Sequence, residues 1–131
     1  METSMEEFPT IERVNQILTE IADKIPSDLY QGLSGGIILL DQEKLHKEAR
    51  NNDLYIMGEY VNTPREKQIK IYYGSFRKVF PRSSETYIAK KLEEVLVHEL
   101  THHLEARAGL KDLEVQDYND IKAYKDKFNP L

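Results

Sequence analysis

Val95-Leu96-Val97-His98-Glu99-Leu100-Thr101-His102-His103-Leu104 is the stretch on which the reading of this chain turns. It places the pattern H-E-x-x-H (His98, Glu99, His102) inside an apolar run of helical character. Side chains four apart on a helix lie one above the other on the same face. Two imidazoles in that relation can grip one zinc ion from a single rigid element. A glutamate directly after the first histidine can reach a water beside that ion. The bland alternative is a solvated helix that happens to carry two histidines. The apolar flanks speak against it, because charged surface helices do not look like this.

Working outward, Ser83 or Ser84 is set to cap the helix, with Glu85 in its first turn. The helix is expected to run to about Ala108, where Gly109 offers a left-handed C-cap. On a wheel of ~100° per residue, Ile88, Leu92, Val95, Leu96 and Ala106 point roughly one way, with Glu99 in their midst. His98 and His102 fall together on the flank of that group, about 40° apart. A carboxylate in an apolar stripe is costly without a partner or a task. Desolvation raises its pKa toward the range of a general base, so Glu99 is the candidate catalytic group. Its bland reading is a carboxylate satisfied by a backbone amide or an arginine. His103 falls on the apolar side and reads as a packing or ligand-orienting histidine. His46 sits alone in a polar segment and reads as solvated. The motif supplies two ligands, and the third is open among Glu105, one turn beyond His102, Asp112 after Gly109, and the more remote Asp117.

The rest of the chain alternates helix and strand. Ile11, Val14, Ile17, Leu18, Ile21 and Ile25 recur at helical spacing and predict a helix over Thr10 to Ile25, ended by Pro26. Ser27 to Gly36 reads as loop and Ile37 to Leu40 as a short strand. Gln42 to Asn52 is polar, with room for a short helix. Leu54 to Val61 and Gln68 to Tyr73 read as two strands joined at Asn62-Thr63-Pro64-Arg65 in a hairpin. Ser75 is positioned to cap a short helix through Phe80, stopped by Pro81. A last helix is expected over Leu113 to Phe128. The order of elements predicts an α+β fold.

With 131 residues, 40% hydrophobic and 31% charged, residues 1–131 fit one small domain with an open cleft. The net charge of −5 and the lack of a Lys/Arg block argue against a nucleic-acid partner. There is no cysteine, which excludes thiolate ligands and disulfides. No signal-peptide pattern and no run of membrane-spanning length is visible, so the expectation is a cytoplasmic chain without a membrane partner.

The run His98-Glu99-Leu100-Thr101-His102-His103 resembles the small bacterial zincin-like metallopeptidase family, a minimal zincin domain of about this length. The resemblance extends over Leu54-Tyr55-Ile56-Met57-Gly58-Glu59-Tyr60, Ile71-Tyr72-Tyr73-Gly74-Ser75-Phe76 and Ala108-Gly109-Leu110-Lys111-Asp112-Leu113-Glu114. It implies a small twisted mixed sheet packed on an active-site helix, with flanking N- and C-terminal helices. It implies one zinc ion per chain, held by His98 and His102, with Glu99 as general base, and a peptide or protein substrate. In the family a glycine comes three residues after the second histidine and an aspartate three later. Here Glu105 stands at the glycine position, and Gly109 and Asp112 come four residues late. Four residues make about one helical turn, so Asp112 is favoured as third ligand and Glu105 comes second. Similarity to zincins in general implies an extended peptide pairing with an edge strand, here taken as Gln68 to Tyr73. Tyr60, Tyr72 or Tyr73 would then be candidate oxyanion donors, each also readable as a packing aromatic.

Two readings compete with the peptidase. One is a zincin-fold binding or regulatory protein with little or no turnover. The other is a structural metal, which is disfavoured because structural sites close four ligands and favour cysteine.

Overall fold

The structure is a computed structural model and describes residues 7–47 and 54–110. It is α+β, with three helices and a three-stranded mixed sheet. Helix α1 spans Ile11–Lys24, and Thr10 caps it by accepting a hydrogen bond from the Arg13 N–H at 3.1 Å. Val14, Ile17, Leu18 and Ile21 are buried at the expected spacing, and the chain turns extended at Ile25, before Pro26. A single 3-10 turn, Ser27–Tyr30, follows where loop was expected, pinned by the buried Leu29.

Strands β1 (Gly36–Leu40), β2 (Gly58–Asn62) and β3 (Lys67–Tyr72) form a sheet of order β1-β3-β2. β2 and β3 are the expected hairpin, with Tyr60 opposite Ile69. β1 runs parallel to β3 on its other side, with Ile37 opposite Ile69. β3 is therefore central and Gln68 to Tyr72 is no edge strand, which corrects the expectation. Periodicity shows which face a strand buries and is silent on which neighbours it takes.

One further expectation fails here: Ser75 does not cap the short helix, while the described part of Gln42 to Asn52, residues 42–47, holds no helix. Helix α2 (Tyr73–Val79) follows β3 without a loop, so Ser75 lies inside it, fully buried. Its Oγ accepts from the Lys44 N–H at 3.0 Å, and the Gly74 N–H donates to the Gln42 carbonyl at 3.1 Å. The 42–46 segment thus spends its backbone groups on α2 and on residues 54–56, through Ile56 N–H to Lys44 O at 2.8 Å and His46 N–H to Leu54 O at 2.7 Å. Strand β2 correspondingly begins only at Gly58, and Tyr55 makes an isolated bridge to Leu45.

Helix α3 spans Glu85–Leu110. Ser84 caps it, its Oγ accepting from the Tyr87 N–H at 3.1 Å. The helix passes through Gly109 without a left-handed turn, so the expected C-cap there is not formed. Gly109 is exposed, and the cost of a helical glycine, ~1 kcal/mol, is small beside the turn before it. In that turn Arg107 is buried and donates to the Leu29 carbonyl at 3.3 Å. Ile88, Leu92, Leu96, Leu100 and Leu104 are fully buried between the sheet and α1, and form the centre of the core. The expected helix over Leu113 to Phe128 lies outside the described residues, as does Asp117. No helix among the described residues is long and apolar enough to cross a membrane.

Gly74 is where the fold tolerates least. A Cβ there would sit 2.5 Å from the Glu43 nitrogen and 2.6 Å from the Gln42 carbonyl carbon, and backbone cannot step aside as a side chain can. Gly74→Ala should lower unfolding free energy by about 1–3 kcal/mol in urea titrations, whereas the exposed helical Gly109→Ala should be neutral to stabilising by up to about 1 kcal/mol.

Candidate metal centre

α3 presents the motif as its spacing predicts. His98 and His102 are both exposed, one turn apart, with ring centroids 4.8 Å apart and planes at 89°. Glu99 lies about 60° around the helix from His102 and is only 8% exposed. The sequence wheel placed it in the middle of the apolar stripe. In the fold it sits on the margin facing β2, flanked by the half-buried Val95 and Ala106, while Leu96 and Leu100 hold the centre.

The strand meets the helix at Gly58. A Cβ there would lie 2.6 Å from Val95 Cγ1 and 3.5 Å from Glu99 Cγ. A glycine inside a strand pattern signals such a close approach, and Leu54 to Val61 carries that signal. Tyr72 N–H donates to the Met57 carbonyl, so Met57, Glu59 and Val61 exchange ladder bonds with β3. Gly58, Tyr60 and Asn62 therefore turn their main-chain groups outward, to the open edge of β2. The Tyr60 backbone N–H meets the Glu99 carboxylate there.

Burial pushes the Glu99 carboxyl above its ordinary pKa, and the nearby Glu59 adds to that. His102 and the Tyr60 amide pull the other way without reversing it. Glu99 and His102 open together into a cleft of about 560 Å³, walled by Ile56, Gly58, Glu59, Tyr60, Asn62 and Ala106. The edge strand along this cleft is β2, in place of the expected Gln68 to Tyr73.

The remaining candidates fall into place one by one. Glu105 is exposed, and its Oε1 lies 3.3 Å from His102 Nδ1. Asp112 lies outside the described residues. Among the described residues, no group of three His, Asp or Glu side chains is gathered at one point. The donor set still suits zinc in kind: two accessible imidazoles on one rigid helix, with a buried carboxyl beside one of them. His46 is half-buried in the segment paired with Leu54. His103 is fully buried, bound to the Tyr60 hydroxyl and the Gln31 carbonyl at 2.8 Å each. That takes the Tyr60 hydroxyl out of the oxyanion role. Tyr72 donates to Glu59 Oε1 and Tyr73 to the Pro9 carbonyl, both at 2.6 Å, so neither hydroxyl is offered to the cleft.

No family model matches the chain, and no curated protein matches it. Among solved structures it is similar to a conserved hypothetical protein from Thermo thermophilus, at 26% identity and a TM-score of 0.65. The match covers 78% of this chain and 100% of that one.

Glu59 was not singled out from the sequence. Burial alone would raise its carboxyl, but hydrogen bonds from Tyr72 at 2.6 Å and Lys44 Nζ at 2.9 Å outweigh that and bring it below its ordinary value. A depressed carboxyl stabilises the fold above its unfolded pKa of about 4.3 and loses that contribution as pH falls through the folded value. Glu59→Gln should therefore be less stable than wild type at pH 7, with the gap closing below about pH 4 in urea titrations run across that range.

Proposed function

We propose that the chain is a zinc-dependent metallopeptidase that hydrolyses peptide bonds, built on a minimal zincin-like fold. The observation that carries the reading is the buried Glu99 carboxyl, raised in pKa, opening into one cleft with His102 while His98 stands one turn back on the same helix. Burying a carboxyl at the helix margin costs stability, and two imidazoles at metal spacing give it a task.

His98 and His102 would hold the ion. The Glu105 carboxylate at His102 Nδ1 acts as the orienting partner commonly found behind a ligating histidine, which leaves Nε2 for the metal. That role moves Glu105 away from direct ligation and leaves Asp112 as the third ligand. Bound there, zinc supplies Lewis acidity to a carbonyl and lowers the pKa of water to about 7.

Glu99 takes the proton of the attacking water on a carboxylate oxygen and hands it to the leaving amine nitrogen. The Tyr60 N–H steadies the carboxylate in the orientation from which it does both. An extended substrate would lie along β2 and pair with the outward main-chain groups of the strand. A net charge of −5 and the absence of a basic run leave a protein or peptide substrate better suited than a nucleic acid.

Zinc measured by elemental analysis should come to about one ion per chain in wild type and in Glu99→Gln alike. Cleavage of a broad peptide library should fall about a hundredfold or more in that variant. Failure to bind zinc under metal-replete conditions sinks the reading. Zinc retained without cleavage by wild type favours a binding or regulatory protein with the same fold. In chelator competition, Glu105→Ala should weaken zinc binding by about tenfold and Asp112→Ala by more. The reverse order makes Glu105 the ligand.

A further inference from the structure

We infer that His103 is a positioning residue, which fixes Tyr60 and through it holds the β2 main chain against Glu99. This rests on the reading of Glu99 as the proton carrier. The imidazole is fully buried and both ring nitrogens are engaged. Nε2 lies 2.8 Å from the Gln31 carbonyl, which only accepts, so Nε2 carries the proton. In the neutral ring Nδ1 is then an acceptor, and the Tyr60 hydroxyl donates to it at 2.8 Å. The two rings also meet edge to face, with centroids 5.5 Å apart.

The anchor behind His103 is firm. Gln31 ends the 3-10 turn, whose Leu29 and Asp28 carbonyls accept from Arg107, one turn further along α3. Gly32, at φ +85°, lays its backbone against the imidazole, and a Cβ there would stand 3.7 Å from its Cε1. The ring is thus held between α3 and this turn, and Tyr60 is the group it presents to the sheet.

Tyr60 transmits the constraint across one residue. Its side chain is tied to His103, while its own N–H faces the Glu99 carboxylate. β2 meets α3 through the bare Gly58 against Val95, the Tyr60 N–H on Glu99 and the Tyr60 hydroxyl on His103. The Gly58 contact sets how close the strand can come. The ladder to β3 turns the Tyr60 N–H toward the open edge of the strand, and neither contact limits how far that edge can fray from α3. The hydroxyl bond ties that edge to α3 beside the amide that meets Glu99.

Isosteric variants separate this role from plain packing. An Asn side chain at 103 places an acceptor near the Nδ1 position, and a Gln side chain places a donor near Nε2. Hydrogen exchange of the residue-60 amide is read against that of Ile69 in the central strand. Tyr60→Phe and His103→Gln should each speed exchange at residue 60 about tenfold relative to Ile69, while His103→Asn restores it to near the wild-type ratio. Zinc content should be unchanged in all three. Where wild type cleaves peptide, the first two variants should lower kcat with KM little altered.

Equal acceleration at residue 60 and Ile69 overturns the inference, because a loss of global stability alone has that signature. No acceleration in Tyr60→Phe, or no rescue by His103→Asn, overturns it as well. A wild type that cleaves nothing removes the peptidase reading while the exchange result still decides whether His103 governs the Tyr60 amide.

Discussion

Strand β2 can lie on α3 as closely as it does because residue 58 has no side chain. Any Cβ there would drive into Val95, and the strand would ride higher over the helix. The geometry around Glu99 follows from that approach. The edge amides of β2 come within reach of a helix side chain, and the cleft takes its walls from strand and helix together. A helix packed beneath an ordinary strand face would meet side chains. Here it meets main chain, which is where a carboxylate finds a donor that does not depend on rotamer.

That contact also explains how a carboxylate survives near the core. An unpaired buried carboxyl is costly, and the Tyr60 N–H offsets part of the cost by hydrogen bonding to the charged form. The offset is incomplete, since the pKa stays raised. A fully satisfied carboxylate would be a poor base and a fully unsatisfied one would not remain ionised. The partial satisfaction of Glu99 lies between these limits.

Local patterns made α1, the β2–β3 hairpin and the motif helix legible, because each is written within one turn or one strand length of sequence. Pro26 and Ser84 mark boundaries through their own chemistry, and the structure places them where that chemistry predicts, while Thr10, read as the first helical residue, is the cap. The parallel pairing of β1 with β3 was not legible. It joins Gly36 to Gln68 across an intervening strand, and no residue pattern names such a distant partner. The error over the edge strand followed from that gap. The start of α2 was missed for a related reason. A serine near a helix start reads as a cap, but Ser75 is claimed by Lys44 from a segment far away in sequence. At the candidate centre the shared face of His98 and His102 was legible from helical angle, but Glu99 was set at the centre of the apolar stripe and lies at its margin, and the Tyr60 amide was invisible because a backbone group leaves no mark in the sequence.

Three histidines within six residues show how far angle alone decides a side chain's part. His98 and His102 differ by about 40° around α3 and both face water. His103 stands about 100° further on, which carries it to full burial. An exposed imidazole can take its hydrogen bonds from water. A buried one remains in place only if each nitrogen has a fixed partner. The Gln31 carbonyl ends a short turn and needs a donor, and the Tyr60 hydroxyl sits in the half-buried wall of the cleft and needs an acceptor. His103 meets both needs with one ring, and in doing so ties the turn, the helix and the strand to a common point. One position along the helix from His102, the same residue type thus serves the frame of the fold.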